Sequence, residues 1–208
     1  MGNHDRGSEW RKWDLHVHTP RTFLANKYSG CTADEFVAEV VAKEIAVVGL
    51  TNYFRFADGE LDEIGNKLKA KGVVVLPNLE FRTQPQNKDN EEMHIHVVFS
   101  EKVSGAKIEG FLGRLKTVDD KYCKDLTPAE IKNTSIAFDS LKSALEQDKD
   151  IRHLEDYILV ACPRGDGSYR PSAKDDGRGN NLAVVIDKKT DALFGKKEDT
   201  DFFLKTDR

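Results

Sequence analysis

The sequence predicts an α/β fold built on a parallel sheet, either a barrel or an open sheet. Apolar runs of strand length alternate with amphipathic stretches of helical period. Two helix-start signatures, Thr32-Ala33-Asp34-Glu35 and Thr127-Pro128-Ala129-Glu130, fall between such runs. The residues able to do chemistry gather where strands are expected to end, as parallel α/β folds require.

Taken in order, Trp13, Leu15 and Val17 alternate with Asp14, His16 and His18, the period of a strand with one apolar and one polar face. The first capping box opens a helix with Phe36, Val37, Val40 and Val41 on one side. Ile45 to Leu50 is a short β-branched run, expected of a strand buried on both faces. Leu61, Ile64 and Leu68 mark a second helix that stops at Gly72. Val73 to Leu76 is a further buried strand; a polar loop from Thr83 to Glu92 then leads to the strand Met93 to Phe99. Ile108, Phe111, Leu112 and Leu115 have helical spacing, and a helix carrying Leu141 and Leu145 precedes the strand Tyr157 to Cys162. A Gly-, Asp- and Arg-rich loop runs from Pro163 to Gly179, with a helix at Leu182–Ile186 and a short strand at Asp191–Phe194. Residues 1–9 read as a flexible arm, and no repeat or linker divides the rest, so one domain over 1–208 is expected.

A formal net charge of −4 argues against nucleic-acid binding through the overall field, though not through a local patch or bound cations. The three cysteines, Cys31, Cys123 and Cys162, are scattered and have no zinc-knuckle spacing; they read as buried or half-buried free thiols. No apolar run approaches membrane-spanning length, and the expectation is a cytoplasmic protein with no membrane partner. Lys67, Lys69 and Lys71 read as a solvated helix face, and His4 and His153 as surface residues.

Four of the six histidines fall in two H-x-H pairs, His16/His18 and His94/His96, on separate strand-like segments. Residues two apart on a strand leave the same face, so each pair can chelate one ion. Glu80, in Pro77-Asn78-Leu79-Glu80-Phe81, adds a hard oxygen able to bridge two ions. Such a mixed set suits manganese, zinc or iron better than calcium or magnesium. Asp14 shares the histidines' polar face and is either a ligand or an acceptor for a histidine N–H. Arg82 and Arg164 are candidates for meeting a phosphate, or plain surface charges.

The segment Asp14-Leu15-His16-Val17-His18-Thr19-Pro20 resembles the first motif of the polymerase-and-histidinol-phosphatase (PHP) superfamily. Gly7 to Trp13, Val48 to Phe54, Leu76 to Arg82, His94 to Ser100, Thr190 to Gly195 and Glu198 to Leu204 are similar to the N-terminal PHP domain of TrlF-like, SMC-related ATPases. The resemblance implies a distorted (β/α)7 barrel with His16, His18, Glu80 and His96 as catalytic metal residues. His94 has no clear counterpart among the family's usual ligands and ranks below His96, and Asp14 stays a further candidate ligand by its strand face alone. The resemblance also implies hydrolysis of a phosphoester in nucleic acid or nucleotide by water activated on one to three divalent ions. An ATPase domain or subunit is the implied partner, in DNA repair or phage defence.

The chain departs from the family's pattern in two places. Asn52-Tyr53 stands where PHP enzymes have Asp-His and the ATPase subgroup has Asp-Tyr. The family's late Ser-Asp-x-His motif does not occur before Arg208, which implies either the front part of a longer protein or a barrel left short at its C-terminal end. Both favour an alternative, a catalytically degenerate PHP-like module that binds DNA or a partner ATPase. An amidohydrolase-type barrel also begins with an H-x-H strand, but no lysine here has the setting of that family's bridging lysine.

Overall fold

Among the described residues every strand but one runs in the same direction, and the exception places half of the chemistry. The computed structural model describes residues 10–86, 92–162, 186 and 188–195. The strands are β1 (Lys12–His18), β2 (Ile45–Tyr53), β3 (Val74–Gln84), β4 (Met93–Phe99), β5 (Ile136–Ala137), β6 (Tyr157–Ala161) and β7 (Ala192–Leu193). They form one sheet in the order β1-β2-β3-β4-β6-β7, with β5 paired to the far end of β3. The parallel sheet expected from sequence is corrected at β4, which is antiparallel to both β3 and β6. The reason is length. β3 does not end near Leu76 but continues to Gln84, so only residues 85–92 separate it from β4. A parallel return needs a crossover of about a dozen residues or more, so the chain turns straight back.

Helices α1 (Ala33–Ala42) and α2 (Glu60–Ala70) cover one half of the sheet. Helices α3 (Gly105–Leu112), α4 (Pro128–Ile131) and α5 (Phe138–Glu146) accompany the other half. Both capping boxes form, on Thr32 with Glu35 and on Thr127 with Glu130. Gly72 ends the α2 turn at φ +78°, a conformation that glycine adopts without strain. The expected apolar faces are trimmed at their rims, because Val41 on α1 and Val74 on β3 are left exposed. The helix-covered face of β3 and β4 carries Leu79, Phe81, Met93, Ile95 and Val97, all buried. The opposite face carries Asn78, Glu80, His94 and His96 in register.

The sheet is curled. β1 and β7 are five steps apart, roughly 24 Å in a flat sheet. Yet the rings of His16 and Phe194, at the two margins, lie 5.8 Å apart. The sheet therefore wraps into a partial barrel with the histidine-bearing face inside. The expected arm 1–9, the loop at 163–179, Arg164, most of the 182–186 helix and the segment 198–204 lie outside the described residues. No helix among the described residues is long and apolar enough to cross a membrane.

One local irregularity decides how β1 faces this interior. Asp14 pairs with Val48 and Val17 with Leu50, so β1 carries an extra residue and bulges there. Within the bulge the Leu15 carbonyl accepts from Asn78 Nδ2 at 2.9 Å, and the His16 N–H donates to Asp14 Oδ1 at 3.3 Å. The bulge breaks the simple alternation expected of β1: Val17 is buried, Leu15 half-buried and Trp13 exposed. It also needs room on β2, since a Cβ on Gly49 would sit 2.0 Å from the Leu15 carbonyl oxygen. Gly49→Ala is expected to lower stability by about 1–3 kcal/mol, as overpacking does. Gly65→Ala, where the added carbon would meet nothing closer than 4.0 Å on a helix, should be neutral or stabilising. Urea midpoints of the two variants check this; indistinguishable midpoints would refute the close approach.

Candidate metal centre

The polar inner face converges on Glu80. β3 delivers its carboxylate to a position 2% exposed, and β1 and β4 surround it with imidazoles. Oε2 lies 3.3 Å from His16 Nε2 and 3.5 Å from His18 Nε2, and Oε1 lies 2.6 Å from His94 Nδ1 and 3.9 Å from His96 Nε2. The two carboxylate oxygens are used differently. Oε1 is hydrogen-bonded to His94, whereas the buried Oε2 accepts no hydrogen bond. Ligand atoms facing one another without a hydrogen bond to join them is an arrangement that a shared cation satisfies.

Among the described residues, two sets of three ligand atoms lie within 4.8 Å of one another: His16, His18 and Glu80, and His16, His96 and Cys162. The expected residues His16, His18, Glu80 and His96 are thus brought together from three strands, with His94 beside them on Glu80. Asp14 stands apart. The bulge pairs it with Val48, while His18 pairs with Thr51 on the other face, so the expected common face does not exist. Its carboxylate takes the backbone N–H of His16 instead of a histidine ring, which secures the bulge that aims His16 inward.

Cys162 is the residue that the sequence did not single out. It follows β6 directly, is buried, and its Sγ lies 3.0 Å from His96 Nε2. The only sequence signal was positional: Ile158, Val160 and Cys162 alternate with the core residues Tyr157, Leu159 and Ala161, so the thiol ends on the inner face. Two aromatic rings complete the wall. Tyr53 stacks on His18 at 5.3 Å and meets His94 edge-on at 5.9 Å, and Phe194 meets His96 edge-on at 5.0 Å.

Asn52 points the other way. It pairs with Leu79 on the helix-covered face, where its amide accepts from Thr19 Oγ1 at 2.8 Å and donates to the buried Glu60 at 3.0 Å. It ties the chain after β1 to β2 and α2 and reaches no ligand of the centre. Arg82 is equally committed, its guanidinium donating to the carbonyls of Ile131, Lys132 and Thr134. It holds the end of α4 against β3, and its Nε lies 3.6 Å from Glu92 Oε2.

The comparisons with known proteins come to little. No protein-family model matches the sequence, and no curated protein matches it. Among solved structures it is similar to a protein of Bifidobacterium adolescentis provisionally assigned as a metal-dependent phosphoesterase. Identity is 14% and the TM-score 0.41, over 89% of this chain and 77% of that one. A likeness that remote carries no weight on function, which rests on the side chains themselves.

Their protonation suits cation binding. Burial lowers His96 to about 3, against the pull of Glu80, and burial also lowers His18. Both rings are therefore neutral near pH 7, as ligands must be. Burial by itself would raise Glu80; His16 and His94 outweigh it and hold the carboxyl well below the usual carboxylate range. Both shifts leave the folded chain with fewer bound protons than the unfolded chain in acid, His96 from 6.5 downward and Glu80 from 4.5 downward. Their stabilising contribution is present above pH 6.5 and is lost as the pH falls toward 3. The urea midpoint of chelator-treated protein is expected to fall between about pH 7 and about pH 4. A level or rising midpoint would contradict a neutral His96 beside a charged Glu80.

Proposed function

We propose that this chain is a metal-dependent phosphoesterase of the PHP type, with His16, His18 and Glu80 holding a divalent ion and His96 and Cys162 extending the donor set. The observation that carries this reading is the buried Glu80 Oε2, without a hydrogen bond, facing the Nε2 atoms of His16 and His18 at 3.3 and 3.5 Å. When bound, such an ion lowers the pKa of a coordinated water toward neutrality and polarises a phosphoryl oxygen. The chain's own contribution is geometric. The β1 bulge aims His16, His94 steadies one oxygen of Glu80, and the rings of Tyr53 and Phe194 restrict the space beside the imidazoles.

The motif resemblance supports the finer parts of the proposal: a distorted (β/α)7 barrel, nucleic acid or nucleotide as the phosphoester, and one to three ions. It also supports an ATPase of the TrlF-like type as partner, in DNA repair or phage defence. A cytoplasmic setting belongs to the proposal as well. Nitrogen, oxygen and sulfur donors together favour zinc or iron, with manganese next.

A second reading is favoured by Asn52. β2 sends its amide to Glu60 and so supplies no carboxylate to the centre, which fits a module that binds metal and DNA or a partner without turnover. The two readings part in one experiment: metal content of the purified chain, then phosphodiester hydrolysis with added zinc, manganese or iron, against His16→Ala/His18→Ala. The enzyme reading expects bound metal in the wild type, and in the double mutant metal loss with a fall in rate of roughly a hundredfold or more. Metal without turnover selects the binding module. Equal metal content in the two proteins would end both.

A further inference from the structure

Asn78 is wholly buried on β3, two residues before Glu80 and on the same face of the sheet. All three polar contacts of its amide have a determinable direction. Nδ2 donates to the Leu15 carbonyl at 2.9 Å, and a carbonyl can only accept. Nδ2 also donates to Thr51 Oγ1 at 3.0 Å; that hydroxyl gives its own hydrogen to the Gly49 carbonyl at 3.1 Å, leaving its oxygen to accept. Turning the amide round would set its oxygen against the Leu15 carbonyl oxygen and cost the Thr51 hydroxyl its bond to Gly49, so its orientation is fixed.

Oδ1 therefore faces His96 Nδ1, at 2.9 Å, and it can only accept. Nδ1 must carry the ring hydrogen, and in the neutral ring the lone pair is left on Nε2. That Nε2 is the atom beside Cys162 Sγ at 3.0 Å and Glu80 Oε1 at 3.9 Å. The same amide thus touches both sides of the centre, the bulge that carries His16 on β1 and the ring of His96 on β4.

We propose that Asn78 is the positioning residue of the metal centre: it selects the Nε2-ligating tautomer of His96 and, through the Leu15 carbonyl, holds the bulge that aims His16 at the same volume. This rests on the metal reading given above and names what organises it. Histidine ligands generally donate their second ring N–H to a fixed acceptor, most often a carboxylate or backbone carbonyl. Here a side-chain amide takes that part and joins four adjacent strands in doing so.

The test compares Asn78→Ala with Asn52→Ala in the full chain. Asn52 is as deeply buried and is hydrogen-bonded through both ends of its amide, but it meets no ligand of the centre. Zinc affinity by chelator competition should fall about ten- to a hundredfold in Asn78→Ala and by less than about threefold in Asn52→Ala, whatever each loses in thermal stability. Long-range proton–nitrogen correlation spectra of the nitrogen-labelled, metal-free wild type should show His96 protonated at Nδ1. The Asn78→Ala spectrum should lose that single tautomer. A wild-type His96 bare at Nδ1 overturns the proposal, even if Asn78→Ala fails to fold. So does an Asn78→Ala chain that keeps both tautomer and affinity. A wild type that takes up no zinc refutes the metal reading itself, whereas zinc uptake that ignores Asn78 refutes only this inference.

Discussion

A carboxylate taken almost entirely out of water is the constraint around which this molecule is arranged. An isolated buried charge is too costly to keep, so Glu80 must either be protonated or be surrounded by partners. The chain takes the second course, with imidazoles from two strands within 4 Å of its oxygens. Meeting that demand from strands on both sides of β3 requires that the sheet curl. It also requires that β4 present its histidines next to Glu80. The antiparallel return does this, because it pairs Glu80 directly with His96 and Arg82 with His94. A parallel crossover would have carried the chain across a helix before it re-entered the sheet, and the short 85–92 connection rules that out.

The other half of the arrangement depends on one extra residue in β1. Without the bulge, strict alternation would put Asp14, His16 and His18 on one face and hand the centre a carboxylate. With it, Asp14 becomes a backbone acceptor and His16 and His18 remain as the inward pair. Gly49 makes this possible by having no Cβ where the Leu15 carbonyl passes, and Asn78 makes it durable by meeting that carbonyl with a donor. A missing side chain on β2 and an amide on β3 together decide which residues of β1 can act.

Much of this was legible in the sequence because the signals were periodic. H-x-H on a strand states that two rings share a face whatever the fold, so both histidine pairs and the nearby Glu80 could be read directly. The helix starts were legible because a capping box is a local motif with its own hydrogen bonds. What escaped reading has no local signature. A bulge is a single unpaired residue, visible only against the partner strand. The length of β3 was hidden by Pro77 and Asn78, poor strand formers in mid-strand that made Val73–Leu76 look like the whole element. Cys162 was passed over because a lone cysteine states nothing until the sheet curls and brings β6 opposite β1.

The two oxygens of Glu80 bear on how many ions this set of side chains can hold. A carboxylate bridges two cations most simply with one oxygen on each, which is how Glu80 looked in the sequence. Here Oε1 is engaged by His94 Nδ1 at 2.6 Å, and only Oε2 is left facing the β1 histidines. The two ligand sets also share His16, so both draw on the two nitrogens of a single ring. In this conformation, therefore, Glu80 is a one-oxygen donor. An ion at His16, His18 and Glu80 and an ion at His16, His96 and Cys162 would share one ring. Filling both would call on both nitrogens of His16, or on a further donor in its place. His94, ranked behind His96 as a ligand, thus has another part: its hydrogen bond holds Oε1 and leaves Oε2 as the oxygen that faces the β1 pair.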